Sequence, residues 1–115
     1  SHWFVDGREL FEDLALRNEV LNFFLPTLRG SKWNIVGVPY GGLNWADALA
    51  GKVEHEPDGW PLIIEDVVTT GASAEKIKRQ LREATGKTPL VYAVVLRTLN
   101  PIYAPDFYWA RVPLS

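Results

Sequence analysis

Residues 62–73 read LIIEDVVTTGAS and carry most of the information about the fold. The apolar run 62–64 is uninterrupted, which is typical of a parallel strand that is buried on both faces. Residues 69–73 then offer backbone amides and hydroxyls at the start of a helix, an arrangement that binds phosphate. Between the two, Glu65 and Asp66 would repel a phosphate unless they face sugar hydroxyls or a magnesium ion. The segment therefore predicts a site for a sugar phosphate.

The sequence on either side alternates between helix and strand patterns. Hydrophobic spacing predicts three helices, over residues 8–29 with an end near Pro26, over 43–50, and over 73–83 with Gly86 as its stop. Buried apolar runs predict strands over 32–38 and 90–96, and an edge strand over 107–112. This alternation predicts an α/β fold, an open parallel sheet with helices on both faces, in one minimal domain covering residues 1–115.

In open sheets of this kind, ligands bind beyond the carboxyl ends of the strands. Three segments should meet there: a glycine turn at 39–42, the loop at 65–73 and the segment that begins at Arg97. The polar stretch 51–59 separates the second helix from the central strand and shows no clear element.

Composition limits the classes of function. The 115 residues, 47% of them hydrophobic, suffice for one globular domain. A net charge of −2 argues against a nucleic-acid-binding protein. The absence of cysteine excludes disulfides, thiolate metal sites and thiol nucleophiles. No apolar run approaches the roughly 20 residues of a membrane helix, so we expect a soluble, cytoplasmic protein.

The segment LIIEDVVTTGAS resembles the phosphoribosyl diphosphate signature of type I phosphoribosyltransferases, with Pro61 as one departure from the apolar pattern. Upstream, IVGVPYGG at 35–42 is similar to the strand and turn that bind diphosphate in this family. WFVDGREL at 3–10 and VVLR at 94–97 are similar to segments of the orotate branch. The resemblance implies a Rossmann-like phosphoribosyltransferase that moves the phosphoribosyl group from phosphoribosyl diphosphate to a nucleobase, with orotate favoured.

The resemblance also implies a role for each matching residue. Glu65 and Asp66 are the expected catalytic residues, which hold the ribose hydroxyls, and Asp66 holds magnesium indirectly through the substrate. Arg97 is the expected contact to the base. The alternative interpretation is that Arg97 forms an ion pair at the protein surface. The expected contacts to the diphosphate and the 5′-phosphate are Pro39, Tyr40, Gly41, Gly42, Val67, Val68, Thr69, Thr70, Gly71, Ala72 and Ser73.

Other features of the sequence leave alternatives open. PDFYWARVP at 105–113 resembles the aromatic tail of purine phosphoribosyltransferases, which stacks on the base. The sequence starts where the N-terminal hood of orotate enzymes would end, and 51–60 is too short for the long basic loop that covers the site in the family. The first alternative to an orotate enzyme is therefore a non-catalytic sensor of phosphoribosyl diphosphate, and the second is a purine phosphoribosyltransferase. A homodimer in which one subunit lends a loop to the other is also compatible with the short segment 51–60.

Overall fold

Five parallel strands and four helices make up the described part of the chain. The computed structural model describes residues 7–98 and 100–112, so that residues 3–6 of WFVDGREL and Pro113 of PDFYWARVP lie outside the described residues. In chain order the elements are α1 (Gly7–Glu12), α2 (Leu14–Leu28), β1 (Lys32–Gly37), α3 (Gly41–Ala50), β2 (Glu54–His55), β3 (Trp60–Val68), α4 (Ala72–Thr85), β4 (Leu90–Leu96) and β5 (Phe107–Arg111).

The sheet has the strand order β2-β1-β3-β4-β5, and every neighbouring pair is parallel. β3 is the central strand, and residues 62–64 are completely buried, as the apolar run predicts. Because side chains alternate along a strand, Leu62 and Ile64 face one layer of helices and Ile63 faces the other.

Helices cover both faces of the sheet, which confirms the predicted α/β architecture. On one face, Phe24 of α2 and Trp45 of α3 belong to the same core cluster as Leu62 and Ile64. The ring of Phe11 meets Trp45 edge to face, with 4.9 Å between the ring centroids. On the other face α4 packs against the sheet through a smaller buried cluster made of Val38, Ile63, Ala74 and Val91, flanked by Ile77 and Leu81.

The prediction of one helix over 8–29 with an end near Pro26 is wrong, because the structure has two helices there and the second continues past Pro26. Asp13 separates the two helices and caps α2, because its carboxylate accepts a hydrogen bond from the Leu16 amide at 3.1 Å. Pro26 lies inside α2, which continues to Leu28. The carbonyl of Asn22 loses its usual donor there, but Asn22 is exposed, so water can replace the missing amide.

The polar stretch 51–59 contains a short strand that the sequence did not predict. β2 pairs with the first residues of β1, Lys32 with Glu54 and Trp33 with His55. The ring Nδ1 of His55 accepts a hydrogen bond from the Ile35 amide at 3.1 Å. The edge strand predicted over 107–112 is confirmed as β5, which pairs with β4. Within the described residues, no helix is long and apolar enough to cross a membrane.

Candidate functional site

Three chain segments meet at the carboxyl edge of the sheet, where β1, β3 and β4 end. The Val38 amide donates to the Ile64 carbonyl at 2.8 Å, which extends the pairing of β1 with β3. The Arg97 amide donates to the Val68 carbonyl, also at 2.8 Å, which extends the pairing of β4 with β3. These bonds bring the predicted glycine turn, acidic pair and Arg97 to one edge.

The glycine turn differs from the prediction, because Gly41 and Gly42 form the first turn of α3. The peptide between Pro39 and Tyr40 is cis, and the Tyr40 side chain is 88% exposed. The Gly42 amide donates to the Val38 carbonyl at 2.9 Å and is thereby occupied. The amides of Tyr40 and Gly41 have no acceptor among residues 7–98 and 100–112, so these two are available to an anion.

Gly42 lets α3 approach the central strand closely. A Cβ on Gly42 would collide with the Ile64 carbonyl oxygen, and a Cβ on Gly37 would lie 2.7 Å from the Gly42 carbonyl oxygen. Cβ atoms essentially never approach a heavy atom this closely. Gly42 therefore sets the distance between the first turn of α3 and β3, and Gly37 sets the distance between that turn and the end of β1.

The acidic pair lies within β3, since the strand continues to Val68. Asp66 points toward the start of α3, where its carboxylate lies against Gly41. Its Oδ1 also accepts a hydrogen bond from the Val67 amide at 2.8 Å. A carboxylate at this place is favoured by the positive end of the α3 dipole.

Glu65 is only 8% exposed, and its Oε2 is buried without a hydrogen-bond partner among the described residues. Burial, as the larger cause, and the neighbouring charge of Asp66 together raise the pKa of Glu65 to about 7. At neutral pH the carboxyl is therefore divided between its two forms, and it can accept or donate a hydrogen bond to a ligand hydroxyl.

The loop after β3 contains residues 69–73, which the sequence predicts to hold a phosphate and which we call the cradle. Gly71 has φ +85°, a left-handed conformation that glycine adopts without strain, and it caps α4. The Thr70 hydroxyl accepts from the Ala72 amide at 3.2 Å. The amides of Thr70, Gly71 and Ser73 have no acceptor in the described part of the chain, so they can bind a phosphate at the α4 N-terminus.

The remaining predicted phosphate contacts lie in β3. Val67 is half-buried, and Val68 is buried in a small cluster with Ala93 and Leu96. The Val68 carbonyl already accepts from the Arg97 amide. Both valines therefore support the cradle from the sheet, and the exposed residues of the cradle are Thr69, Thr70, Ala72 and Ser73.

A contact that the sequence did not predict joins the β4–β5 connection to the cradle. The Tyr103 amide donates to the Thr70 carbonyl at 2.8 Å, and the space beside Gly71 is filled by Tyr103. The guanidinium of Arg79 lies 5.9 Å from the centroid of the Tyr103 ring. Thr70 and Tyr103 are 33 positions apart in the sequence, so no local pattern could have indicated this pairing.

Phe107 of the aromatic tail does not lie at the carboxyl edge of the sheet. The Phe107 ring stacks on Phe23 with centroids 5.1 Å apart and also contacts Phe24 and Tyr92. Phe107 pairs with Tyr92, four residues before the end of β4, and so lies about 13 Å from the carboxyl edge. Its ring belongs to the core rather than to a base-stacking platform.

The segment 51–59 lies at the opposite edge of the sheet. β2 pairs with Lys32 and Trp33 at the beginning of β1, and Trp33 also pairs with Trp60 at the beginning of β3. This connection therefore runs along the amino edge of the sheet, which is opposite the edge that carries the cradle. Its position, in addition to its length, prevents it from covering the site.

The residues at the site fit a magnesium ion that arrives with its ligand. Glu65 and Asp66 offer two carboxylates, and residues 7–98 and 100–112 contain no group of three or more potential metal-binding side chains. Mg²⁺ is usually held by one or two carboxylates together with substrate phosphates and water. The unpartnered Oε2 of Glu65 is consistent with this donor set.

Several solved structures have the same fold as this chain. Orotate phosphoribosyltransferase from Aeropyrum pernix is similar with a TM-score of 0.70 and 23% identity, over 96% of this chain and 80% of that one. Xanthine-guanine-hypoxanthine phosphoribosyltransferase from Helicobacter pylori is similar with a TM-score of 0.72 and 13% identity, over 90% and 86% of the two chains. Purine phosphoribosyltransferase from Pyrococcus horikoshii is similar with a TM-score of 0.69 and 18% identity, over 87% of each.

These similarities confirm the fold predicted from the sequence, which is that of the orotate and purine phosphoribosyltransferases. No protein-family model matches the chain, and no curated protein matches it.

Proposed function

We propose that this chain binds phosphoribosyl diphosphate with magnesium and transfers its phosphoribosyl group to a nucleobase. One observation supports this most strongly: the available amides of the α3 and α4 N-termini and the carboxylates of β3 lie at the same sheet edge. A sugar that carries a phosphate at one end and a diphosphate at the other requires two anion sites with hydroxyl acceptors between them. Proteins of the same fold are named as orotate and purine phosphoribosyltransferases.

In this proposal the ligand spans the edge of the sheet. The 5′-phosphate binds the amides of Thr70, Gly71 and Ser73, and the diphosphate binds those of Tyr40 and Gly41. Asp66 and Glu65 accept hydrogen bonds from the ribose hydroxyls. Magnesium, when bound, would neutralise charge that develops on the departing diphosphate.

The reaction would then depend on positioning and electrostatics. The bond from ribose C1 to the diphosphate breaks, and the sugar is cationic in between. A nitrogen of the base forms the new bond to C1 and gives up its proton to solvent. Carboxylates near the ribose favour this cation, and fixed amides favour the leaving anion without reorganising. No side chain of the protein needs to form a covalent intermediate.

Orotate is the base that we propose first. Arg97 is half-buried, follows β4 at the edge of the cradle, and forms no hydrogen bond or ion pair through its guanidinium within the described residues. A guanidinium can meet a planar carboxylate with paired, charge-assisted hydrogen bonds. A purine remains the second candidate, although Phe107, whose ring is in the core, offers it no stacking partner.

A sensor that binds the ligand without turning it over is the alternative from another class. The observation that favours it is the course of residues 51–59 along the amino edge, which leaves the site without a covering loop from this connection. A homodimer in which a second subunit covers the site would restore a closed site, since cyclic dimers are the commonest oligomers.

The test is incubation with phosphoribosyl diphosphate, Mg²⁺ and orotate, hypoxanthine, guanine or adenine, followed by measurement of released diphosphate. Release with orotate supports the first proposal, and release with a purine alone replaces orotate by that purine. Binding by calorimetry without release for any base supports the sensor. Absence of binding at millimolar ligand rejects the proposed function.

Asp66→Asn should weaken ligand binding even though it removes a negative charge. Asp47→Asn provides the matched control, because Asp47 is exposed on α3 and lies outside the site. Equal affinities for the two variants would indicate that Asp66 does not meet the ligand.

A further inference from the structure

Gly41 and Asp66 occupy the same small space at the start of α3. A Cβ placed on Gly41 would collide with the Asp66 carboxylate and would lie 2.7 Å from its Oδ1. The three atoms that such a Cβ would approach most closely all belong to this one carboxyl group. The missing side chain of Gly41 thus leaves the room that the carboxylate fills.

The backbone does not explain why glycine is at this position. The glycines with positive φ are Gly30, Gly71 and Gly86 within the described residues, and Gly41 is not among them. Gly41 is the first residue of α3, where alanine is a better helix former than glycine. Its value must therefore come from the space beside it.

The carboxylate of Asp66 is held from two sides. On the sheet side, its Oδ1 accepts from the Val67 amide at 2.8 Å. On the helix side, it lies against Gly41, whose own amide has no acceptor among residues 7–98 and 100–112. One ligand can therefore contact the Asp66 carboxylate and the first turn of α3 together.

We propose that Gly41 is a positioning residue, whose lack of a side chain keeps the Asp66 carboxylate against the first turn of α3 so that a sugar diphosphate meets both. This inference rests on the proposed binding of phosphoribosyl diphosphate. It assigns to Gly41 a second role besides the amide contact to diphosphate.

The neighbouring glycine provides a matched control. A Cβ on Gly42 would collide with the backbone carbonyl of Ile64, so no change at Asp66 can make room for it. Gly41→Ala and Gly42→Ala thus insert the same methyl group one residue apart, against a side chain in one case and against the backbone in the other.

The experiment measures calorimetric binding of phosphoribosyl diphosphate with Mg²⁺ to the wild type and to Asp66→Ala. It also measures Gly41→Ala and Gly42→Ala, each alone and combined with Asp66→Ala. We expect Gly41→Ala to weaken binding about tenfold and to have less than a twofold effect when Asp66 is already alanine, since residues in contact couple by this order. Gly42→Ala should weaken binding in both backgrounds. Wild-type affinity in Gly41→Ala, or an equal loss in both backgrounds, would overturn the inference.

Failure of the wild type to bind would reject the proposed function, and a measurement without ligand then tests the contact itself. The Val67 amide proton, followed by NMR, should shift in Gly41→Ala as its bond to Asp66 is lost, and Gly42→Ala should leave that bond in place. An unchanged Val67 amide overturns the inference. Should Gly41→Ala fail to fold, recovery of folding in the double variant supports the steric conflict with Asp66, and continued failure overturns it.

Discussion

Replacing Glu65 with glutamine should make the protein more stable above neutral pH and should flatten part of the dependence of its stability on pH. The Glu65 carboxyl is buried, one of its oxygens has no partner in the described residues, and its pKa is raised from 4.5 to about 7. The folded protein therefore holds this proton more tightly than the unfolded chain does. This contribution to stability is fully present below pH 4.5 and is lost as the pH rises through about 7.

The size of the effect follows from the change in pKa. At about 1.36 kcal/mol per pKa unit, the shift from 4.5 to about 7 corresponds to at most about 3 kcal/mol between pH 4.5 and pH 8. Glutamine stays neutral and nearly isosteric, so it retains the stability of the protonated form at every pH. Urea denaturation at pH 4.5, 6 and 8 gives the free energy of unfolding of the wild type and of Glu65→Gln.

Other titrating groups contribute equally to both proteins, so the difference between their free energies of unfolding isolates Glu65. Glu56→Gln removes an exposed carboxyl and should follow the wild-type profile at all three pH values. Parallel profiles of Glu65→Gln and the wild type would refute the argument, and so would a Glu65→Gln protein that is less stable than the wild type at pH 8.

Four further outcomes are expected. Phosphoribosyl diphosphate with Mg²⁺ should raise the melting temperature, because a ligand that binds only the folded state stabilises it; no shift at millimolar ligand contradicts binding. Arg97→Ala should impair the use of orotate by about 1.5 to 3 kcal/mol in kcat/KM and leave phosphoribosyl diphosphate affinity nearly unchanged, whereas an unaffected orotate reaction rejects the base contact. Phe107→Ala should lower the free energy of unfolding by about 2 to 4 kcal/mol in urea without altering base preference, and an altered preference would return the aromatic tail to the base site. Turnover by a monomer should be slow, because residues 51–59 do not close over the site; rapid turnover at concentrations at which the protein is proven monomeric would contradict this.

The part of the site that follows from sequence is the part built from local segments. A buried apolar run, an acidic pair and a glycine-containing helix start succeed one another within residues 62–73, so their order alone predicts a strand, two carboxylates and a phosphate cradle. For β1, β3 and β4 the parallel arrangement follows because α3 lies between β1 and β3 and α4 lies between β3 and β4. Once the sheet is parallel, the ends of β1, β3 and β4 must share an edge, which brings the glycine turn and Arg97 to the cradle.

Tertiary structure decided everything that depends on which distant residues meet. The collision between a Gly41 side chain and Asp66 exists only because α3 packs against the end of β3, and Tyr103 reaches Thr70 only because β5 returns beside β4. The register of β5 placed the Phe107 ring in the core. Its aromatic character alone does not distinguish a core residue from one that stacks on the base. Sequence patterns report the periodicity of single elements, whereas register, close approach and desolvation arise when elements separated by tens of residues pack together. For the same physical reason, LIIEDVVTTGAS shows that the site has a carboxyl group at position 65, whereas the raised pKa of about 7 arises only in the packed sheet.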